Sequence, residues 1–403
     1  MAFLRDVVAA VGVAVVMVTI ANVISVLLVP RGRVSWLLRA QDTIVDDVFR
    51  LITRRIPQYI RRDGVLAVQA PVLLMVQLLT WLLILALGYT LILLPSVPEP
   101  LSSLREALSS MFTLGFTTTH GTWPTIVDAA AALTGLVVIA LQIAYLPTLY
   151  GAYNRRETEV TLLQVRAGEP PWGPELLART HYGILGLDLA TFYGGWERWA
   201  ADLAESHASY PVLLRFRSPR PLTSWIVALL AVLDAAALQV AVAPKESPVQ
   251  TRLCLQMGYV CLRRLATTAG IRVDPDPRPD GPLELTFEDF REGYERIVAV
   301  GYPVERTAEE AWPHFRGWRV NYEAAAYALA RDLDAVPARW SGSRRTGDQR
   351  IETVRPPNRT PDNPDDPNGP RRTDRPRTVD RSRRADGTRP VDDPRRSDQP
   401  TKT

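Results

Sequence analysis

Lysine is almost absent from this chain of 403 residues, standing only at Lys245 and Lys402, so nearly all of the positive charge is arginine. The formal net charge is only +4, and no nucleic-acid recognition motif accompanies the arginines, which excludes a nucleic-acid partner. Cysteine is scarce too. Cys254 and Cys261 sit seven residues apart, two helical turns and about 10 Å along an axis. That is too far for a mutual disulfide, and no metal-ligand spacing surrounds them, so both are expected in a core. Histidine occurs four times, and His181 and His207 are isolated. Gly-rich phosphate loops and dinucleotide fingerprints are missing. With no convergent acid–base or metal cluster, the chain does not read as an enzyme, and no cofactor is expected.

What the chain does have is segregated apolarity. A helix rises about 1.5 Å per residue, so roughly 20 apolar residues cross a hydrocarbon layer of about 30 Å. Val7–Val29 meets this length with only Thr19, Asn22 and Ser25 as polar breaks. Val65–Leu94 carries no charge at all, and Pro124–Tyr150 carries one, Asp128, near its start. The first run is longer than a signal-peptide core and no small-residue cleavage site follows it, so it reads as a retained membrane helix. The loops orient the three spans. Residues 30–64 hold Arg31, Arg33, Arg39, Arg50, Arg54, Arg55, Arg61 and Arg62, and Arg155 and Arg156 follow the third span. Only Arg105 lies between the second and third. The positive-inside rule places residues 30–64 and everything after Tyr153 in the cytoplasm. The expected location is the plasma membrane, as a multi-pass protein in contact with the lipid bilayer.

A further apolar run, Leu222–Ala243, contains Asp234 and Gln239. An aspartate at a membrane-helix centre costs about 2.5–3.5 kcal/mol, and arginines lie on both sides of the run. It reads as a buried helix of a cytoplasmic helical domain.

The stretch LSSLREALSSMFTLGFTTTHGTW, residues 101–123, lies between the second and third spans. Ser102 or Ser103 with Glu106 suggests a capping box, and Leu104, Leu108, Met111 and Phe112 share a helical face. The helix is too short to span, and a hydroxyl-rich run follows it. Irregular backbone at membrane depth survives only where protein buries it or water bathes it, and a re-entrant loop beside a pore satisfies that. Span, short helix, Thr-x-Gly-aromatic and span resemble the pore module of potassium channels. The first span with its basic follow-on, Leu28-Val29-Pro30-Arg31-Gly32, is similar to the extra N-terminal helix of a bacterial subset of that family. The resemblance implies a homotetramer passing K+ or another monovalent cation through a carbonyl-lined filter at Thr113, Leu114, Gly115, Phe116 and Thr117. Gly135 and Pro147 would then hinge or gate the inner helix, and Asp128 and His120 would lie at the outer mouth. The family has a second glycine and an aspartate after the aromatic, where this chain has Thr117 and Thr118. A Thr117 carbonyl aimed into the pore would need positive φ, at about 1–2 kcal/mol. This leaves K+ against Na+ selectivity open. The alternative function is a membrane-anchored helical sensor or scaffold with a vestigial pore.

The expected class is all-α. Residues 1–64 form an N-terminal membrane helix and basic cytoplasmic segment. Residues 65–155 form the pore module, with outer helix 65–94, pore helix and filter 101–119 and inner helix 124–150. Residues 156–340 form a cytoplasmic helical domain, with helices expected at Pro174–Tyr193, Trp196–Phe216, Leu222–Ala243, Val249–Ala269, Phe287–Val300 and Asn321–Val336. Thr286 with Asp289 marks a capping box. Residues 341–403, rich in Arg, Asp, Pro and Thr, cannot bury a core and form a disordered tail.

Overall fold

The computed structural model describes residues 2–29, 36–117, 120–181, 188–345 and 348–354. Among these residues every regular element is a helix, and residues up to Val354 belong to one compact unit. The start of the expected tail is not a free chain: Arg345 donates to Asp334 at 2.9 Å, Asp348 accepts from Arg62 at 2.8 Å and Val354 pairs with Glu169, because these residues meet partners on the helical region. Residues 346, 347 and 355–403 of that tail lie outside the described residues, as do Thr118 and Thr119 of the expected filter segment.

Four stretches are long and apolar enough to cross a membrane: Phe3–Leu27, Tyr59–Leu93, Thr122–Ala167 and Trp225–Val242. Helix α1 (Ala2–Leu27) lies along α4 (Gln69–Leu93). They approach closely at two glycines: a Cβ on Gly12 would meet the Gly88 carbonyl oxygen at 2.7 Å, and one on Gly88 would meet Val16 at 2.7 Å. Small residues permit such a close approach between apolar helices. Asn22, a polar break in the first run, accepts a hydrogen bond from the Trp81 indole at 2.9 Å.

Between α1 and α4 come α2 (Trp36–Thr53) and α3 (Tyr59–Leu66), in the segment read above only for its arginines. Helix α5 (Pro100–Met111) is short, and α6 (Thr122–Ala167) is the longest element at 46 residues, about 69 Å at helical rise. The inner helix was expected to end near Tyr150. It runs on because no proline or glycine interrupts Arg155 to Ala167, and Gly168, at φ +81°, ends it.

The remaining helices are α7 (Gly173–His181), α8 (Leu189–Ser209), α9 (Trp225–Val242), α10 (Val249–Thr268), α11 (Phe287–Val298), α12 (Ala308–Arg319) and α13 (Glu323–Asp332), with a 3-10 turn at Pro211–Arg215. Every residue of α9 is buried against protein, although its length and composition would suit a membrane span. Its Asp234 is paired with Arg319 and accepts from the Tyr322 hydroxyl at 2.9 Å. Arg319, fully buried, also donates to Glu323 at 2.6 Å, the Tyr327 hydroxyl at 2.7 Å and the Trp340 carbonyl at 2.8 Å. A buried carboxylate is tolerable when its charge is met and its lone pairs are used. Cys254 and Cys261 are buried free thiols of the core.

The Thr286–Asp289 capping box forms as expected, and Thr307–Glu310 makes a second one before α12. The span expected as one helix over Pro174–Tyr193 is two, because Asp188 caps the start of α8 by accepting from the Ala190 and Thr191 amides.

Candidate functional site

The expected capping box of the short helix does not form. Pro100 starts α5 earlier, in the first-turn position suited to its fixed φ. This frees Ser103 to donate to the Thr90 carbonyl of α4 at 2.8 Å. Helix α5 is packed on one side by α4 and on the other by α6, with Ala107 and Met111 buried against Leu85, Tyr89, Val127 and Ala131. At its far end, Met111 lies against Gly135, where an added Cβ would meet the Met111 carbonyl oxygen at 2.3 Å. Gly135 is thirteen residues beyond Thr122, so this contact lies about 20 Å along α6 from its first residue. Gly135 therefore has a packing reason to be glycine, apart from the expected hinge. Pro147 is inside α6 and the helix continues past it.

Beyond Met111 the chain turns. The Thr113 amide donates to the Ser110 carbonyl at 3.0 Å and the Leu114 amide to the Ser109 carbonyl at 2.8 Å. With Thr113 at φ +54°, this is a Schellman closure. It usually employs glycine, because a β-branched residue in the left-handed region costs about 1–2 kcal/mol. Gly115 is also left-handed, at φ +66°, and a Cβ there would meet nothing within 4 Å. The positive φ discussed for Thr117 is not found; the strained residue is Thr113. The Ser109 hydroxyl then accepts from the amides of Phe116 at 3.1 Å and Thr117 at 3.3 Å, holding the returning strand against α5. Leu114 and Phe116, 62% and 53% accessible in the single chain, point outward at the turn.

Thr113, Leu114, Gly115, Phe116 and Thr117 thus form one tight turn at the end of α5. Asp128, expected at an outer mouth, turns toward α5, accepting from the Ser110 hydroxyl at 2.8 Å and hydrogen-bonding with Glu106. His120 is exposed on the return to α6 and is not gathered with it. Along α6 the residues facing away from α4 and α5 are apolar and exposed, among them Leu133, Leu136, Val137 and Ile143.

The opposite end of this arrangement carries residues that sequence reasoning missed. Tyr145, Leu149 and Ala152 of α6 pack with Ala70 and Leu74 of α4 and with Leu213 and Phe216 around the 3-10 turn. Beneath them the buried Arg156 donates to the carbonyls of Leu213 at 2.9 Å and Phe216 at 2.7 Å, to Glu157 at 2.8 Å and to His207 Nε2 at 3.0 Å. In the adjoining segment, Arg215 is ion-paired with Asp46 of α2 and, at 2.6 Å, with Asp332 of α13. Arg217 pairs with Asp63 at 2.5 Å, and Arg62 with Asp334 at 2.6 Å. An open cavity of about 690 Å³ adjoins Arg215, Asp42, Asp46 and Asp332. Burial pushes the Asp42 carboxyl up to about 6, Arg215 opposing and Asp46 adding to the shift. The arginines of residues 30–64 were legible as topology signals, but nothing in their spacing marks Arg62 as buried.

Among the described residues no group of three or more His, Cys, Asp or Glu gathers as a metal ion would need. No family model matches the chain, and no curated protein and no solved structure is found to be similar to it.

Proposed function

We propose that the chain is one subunit of a homotetrameric monovalent-cation channel, passing K+ passively through a loop that re-enters the membrane between α4 and α6. The observation that carries this reading is the depth of α5, whose C-terminal end meets α6 about 20 Å along from that helix's start. If α1, α4 and the first part of α6 span the plasma membrane, the turn at residues 112–117 lies well inside the hydrocarbon layer. Backbone that irregular is sustainable there only beside protein or water. Four copies would surround such a turn with one another and with a water-filled axis. The helix C-terminus, aimed inward, favours a cation. The basic loops put the 156–340 helices in the cytoplasm.

One observation favours a second reading. The Schellman closure already uses the Ser109 and Ser110 carbonyls within the chain. A membrane-anchored helical sensor or scaffold with a non-conducting loop is compatible with that closure. Ion flux into liposomes separates the two. The wild-type chain is expected to pass K+, and Gly115→Ala to abolish the flux. Its Cβ meets no neighbour, but the left-handed backbone at φ +66° costs about 1–2 kcal/mol, so the melting temperature in detergent is read alongside to show that the variant is folded. Equal flux in wild type and variant removes the filter assignment, and no flux in either leaves the scaffold.

A further inference from the structure

Helix α2 has three distinct arcs at 100° per residue. Val45, Phe49, Asp46 and Thr53 are buried and face the rest of the chain. Arg39, Thr43, Asp47 and Arg50 form a polar arc beside the cavity. Ile44, Val48, Leu51 and Ile52 form the third arc, and all four are exposed, at 63%, 49%, 62% and 48%. Four large aliphatic side chains on one stripe of an otherwise charged helix are an interfacial pattern, not that of a helix in water.

Three observations say what covers the stripe. Val45 and Phe49 pack with Leu66 and Leu73, and Gln69 donates to Asp46 at 2.5 Å, so α2 lies against the opening turns of α4, where that helix's uncharged run begins. The stripe therefore sits beside the end of a segment whose own outward residues, Met75, Leu79 and Leu83, are apolar and exposed. Just past α2, Arg54, Arg55 and Arg61 are exposed, a charge complement to anionic headgroups. On its opposite side α2 is held to the helical region by Asp46 with Arg215 and by Arg50 with Asp332.

We infer that α2 lies in the cytoplasmic leaflet of the bilayer, its Ile44–Val48–Leu51–Ile52 stripe in contact with anionic lipid, and so brackets the helical region to the membrane surface. This rests on the membrane reading of α4 and not on the pore; a chain that conducts nothing can still carry it.

The test uses the full chain in liposomes of phosphatidylcholine and phosphatidylglycerol. Cys254 and Cys261 are replaced by alanine, and single nitroxide labels are placed at residues 44, 48, 51 and 52. Label 43 is the polar control and label 79 reports α4. Collision with dissolved oxygen is expected to exceed collision with a water-soluble nickel chelate at 44, 48, 51, 52 and 79, and the order to reverse at 43. Arg54→Glu with Arg55→Glu is expected to move the labels toward water and to remove the difference between phosphatidylglycerol-containing and pure phosphatidylcholine liposomes. Nickel access along the stripe overturns the inference by placing it in water. Access to neither reagent overturns it in favour of a second copy covering the stripe. Lipid contact at 79 with none on the stripe sinks this inference alone, whereas nickel access at 79 sinks the membrane reading beneath it. The labelled side chains are all exposed, so the labels do not enter the core, and the four stripe positions report independently.

Discussion

His207 is confined to its neutral form by what faces it. It is fully buried, and Arg156, which can only donate, points a guanidinium N–H at Nε2, so that nitrogen accepts and the ring proton resides on Nδ1, beside the Ser206 hydroxyl at 3.0 Å and bonded to the Leu203 carbonyl. A second proton would have to sit on Nε2 against a cation. Burial first, and the Arg156 charge next, hold the imidazole well below its ordinary value of 6.5. The sign follows from linkage. Above about 6.5 both folded and unfolded chains hold a neutral ring, and this contribution to stability is complete. As pH falls through that value the unfolded chain takes up a proton that the folded chain refuses, costing up to about 1.4 kcal/mol for each further unit until the folded value is reached. The melting temperature of the wild-type chain in detergent is therefore expected to drop between pH 7.5 and 5. His207→Gln, whose amide oxygen accepts from Arg156 without titrating, is expected to flatten that drop. Parallel curves for the two proteins would show that His207 is not the titrating group.

Among whole elements, α5 and α6 are held in register by a contact with no room in it. A Cβ at Gly135 would strike the Met111 backbone oxygen at 2.3 Å, whereas one at Gly151 on the same helix finds only the end of Arg155 at 3.9 Å. Gly135→Ala is therefore expected to destabilise by about 1–3 kcal/mol, as overpacking does, and Gly151→Ala to be neutral or slightly stabilising through helix propensity. Thermal unfolding of the two variants in detergent checks this; equal melting temperatures would remove the close contact. Much at this scale was readable beforehand. The apolar runs announced α1, α4, α6 and α9, because a run of that length has few other uses. The apolar spacing and hydroxyl-rich run after Leu101 announced a short helix followed by irregular backbone. The lone Asp234 argued correctly for burial in protein, since its partner Arg319 supplies the charge that lipid cannot. Other elements were not read. Helix α12 carries Pro313 and little apolar periodicity, although Thr307 and Glu310 had the spacing of its cap. Helix α2 is obscured because its charged residues are spread among its apolar ones. The Schellman turn at Thr113 was hidden because threonine is an unfavourable choice there.

At the scale of the whole molecule, one chain exposes a continuous apolar surface. Leu114 and Phe116 project from the turn, and Leu133, Leu136 and Ile143 follow along α6, all exposed and all on the side away from α4 and α5. Lipid could cover the α6 residues, but if the 112–117 turn lies in hydrocarbon, as proposed, each backbone group without a partner there costs several kcal/mol. On that reading, further copies of the chain around an aqueous axis would supply both an apolar partner for the side chains and water for the backbone. A closed ring is the expected symmetry for such head-to-tail contacts. The detergent-solubilised particle is therefore expected to have a protein mass near four times 44.9 kDa by light scattering. A single cysteine in place of Phe116, with Cys254 and Cys261 changed to alanine, is expected to give oxidised dimers in membranes, because in the proposed tetramer the turns would meet near the axis. A cysteine in place of Leu83 on α4, which faces outward, is expected to stay monomeric under the same oxidation. A particle of one chain's mass, or cross-linking at residue 83 and not at 116, would place the turn at the periphery, where no ion path can form around it.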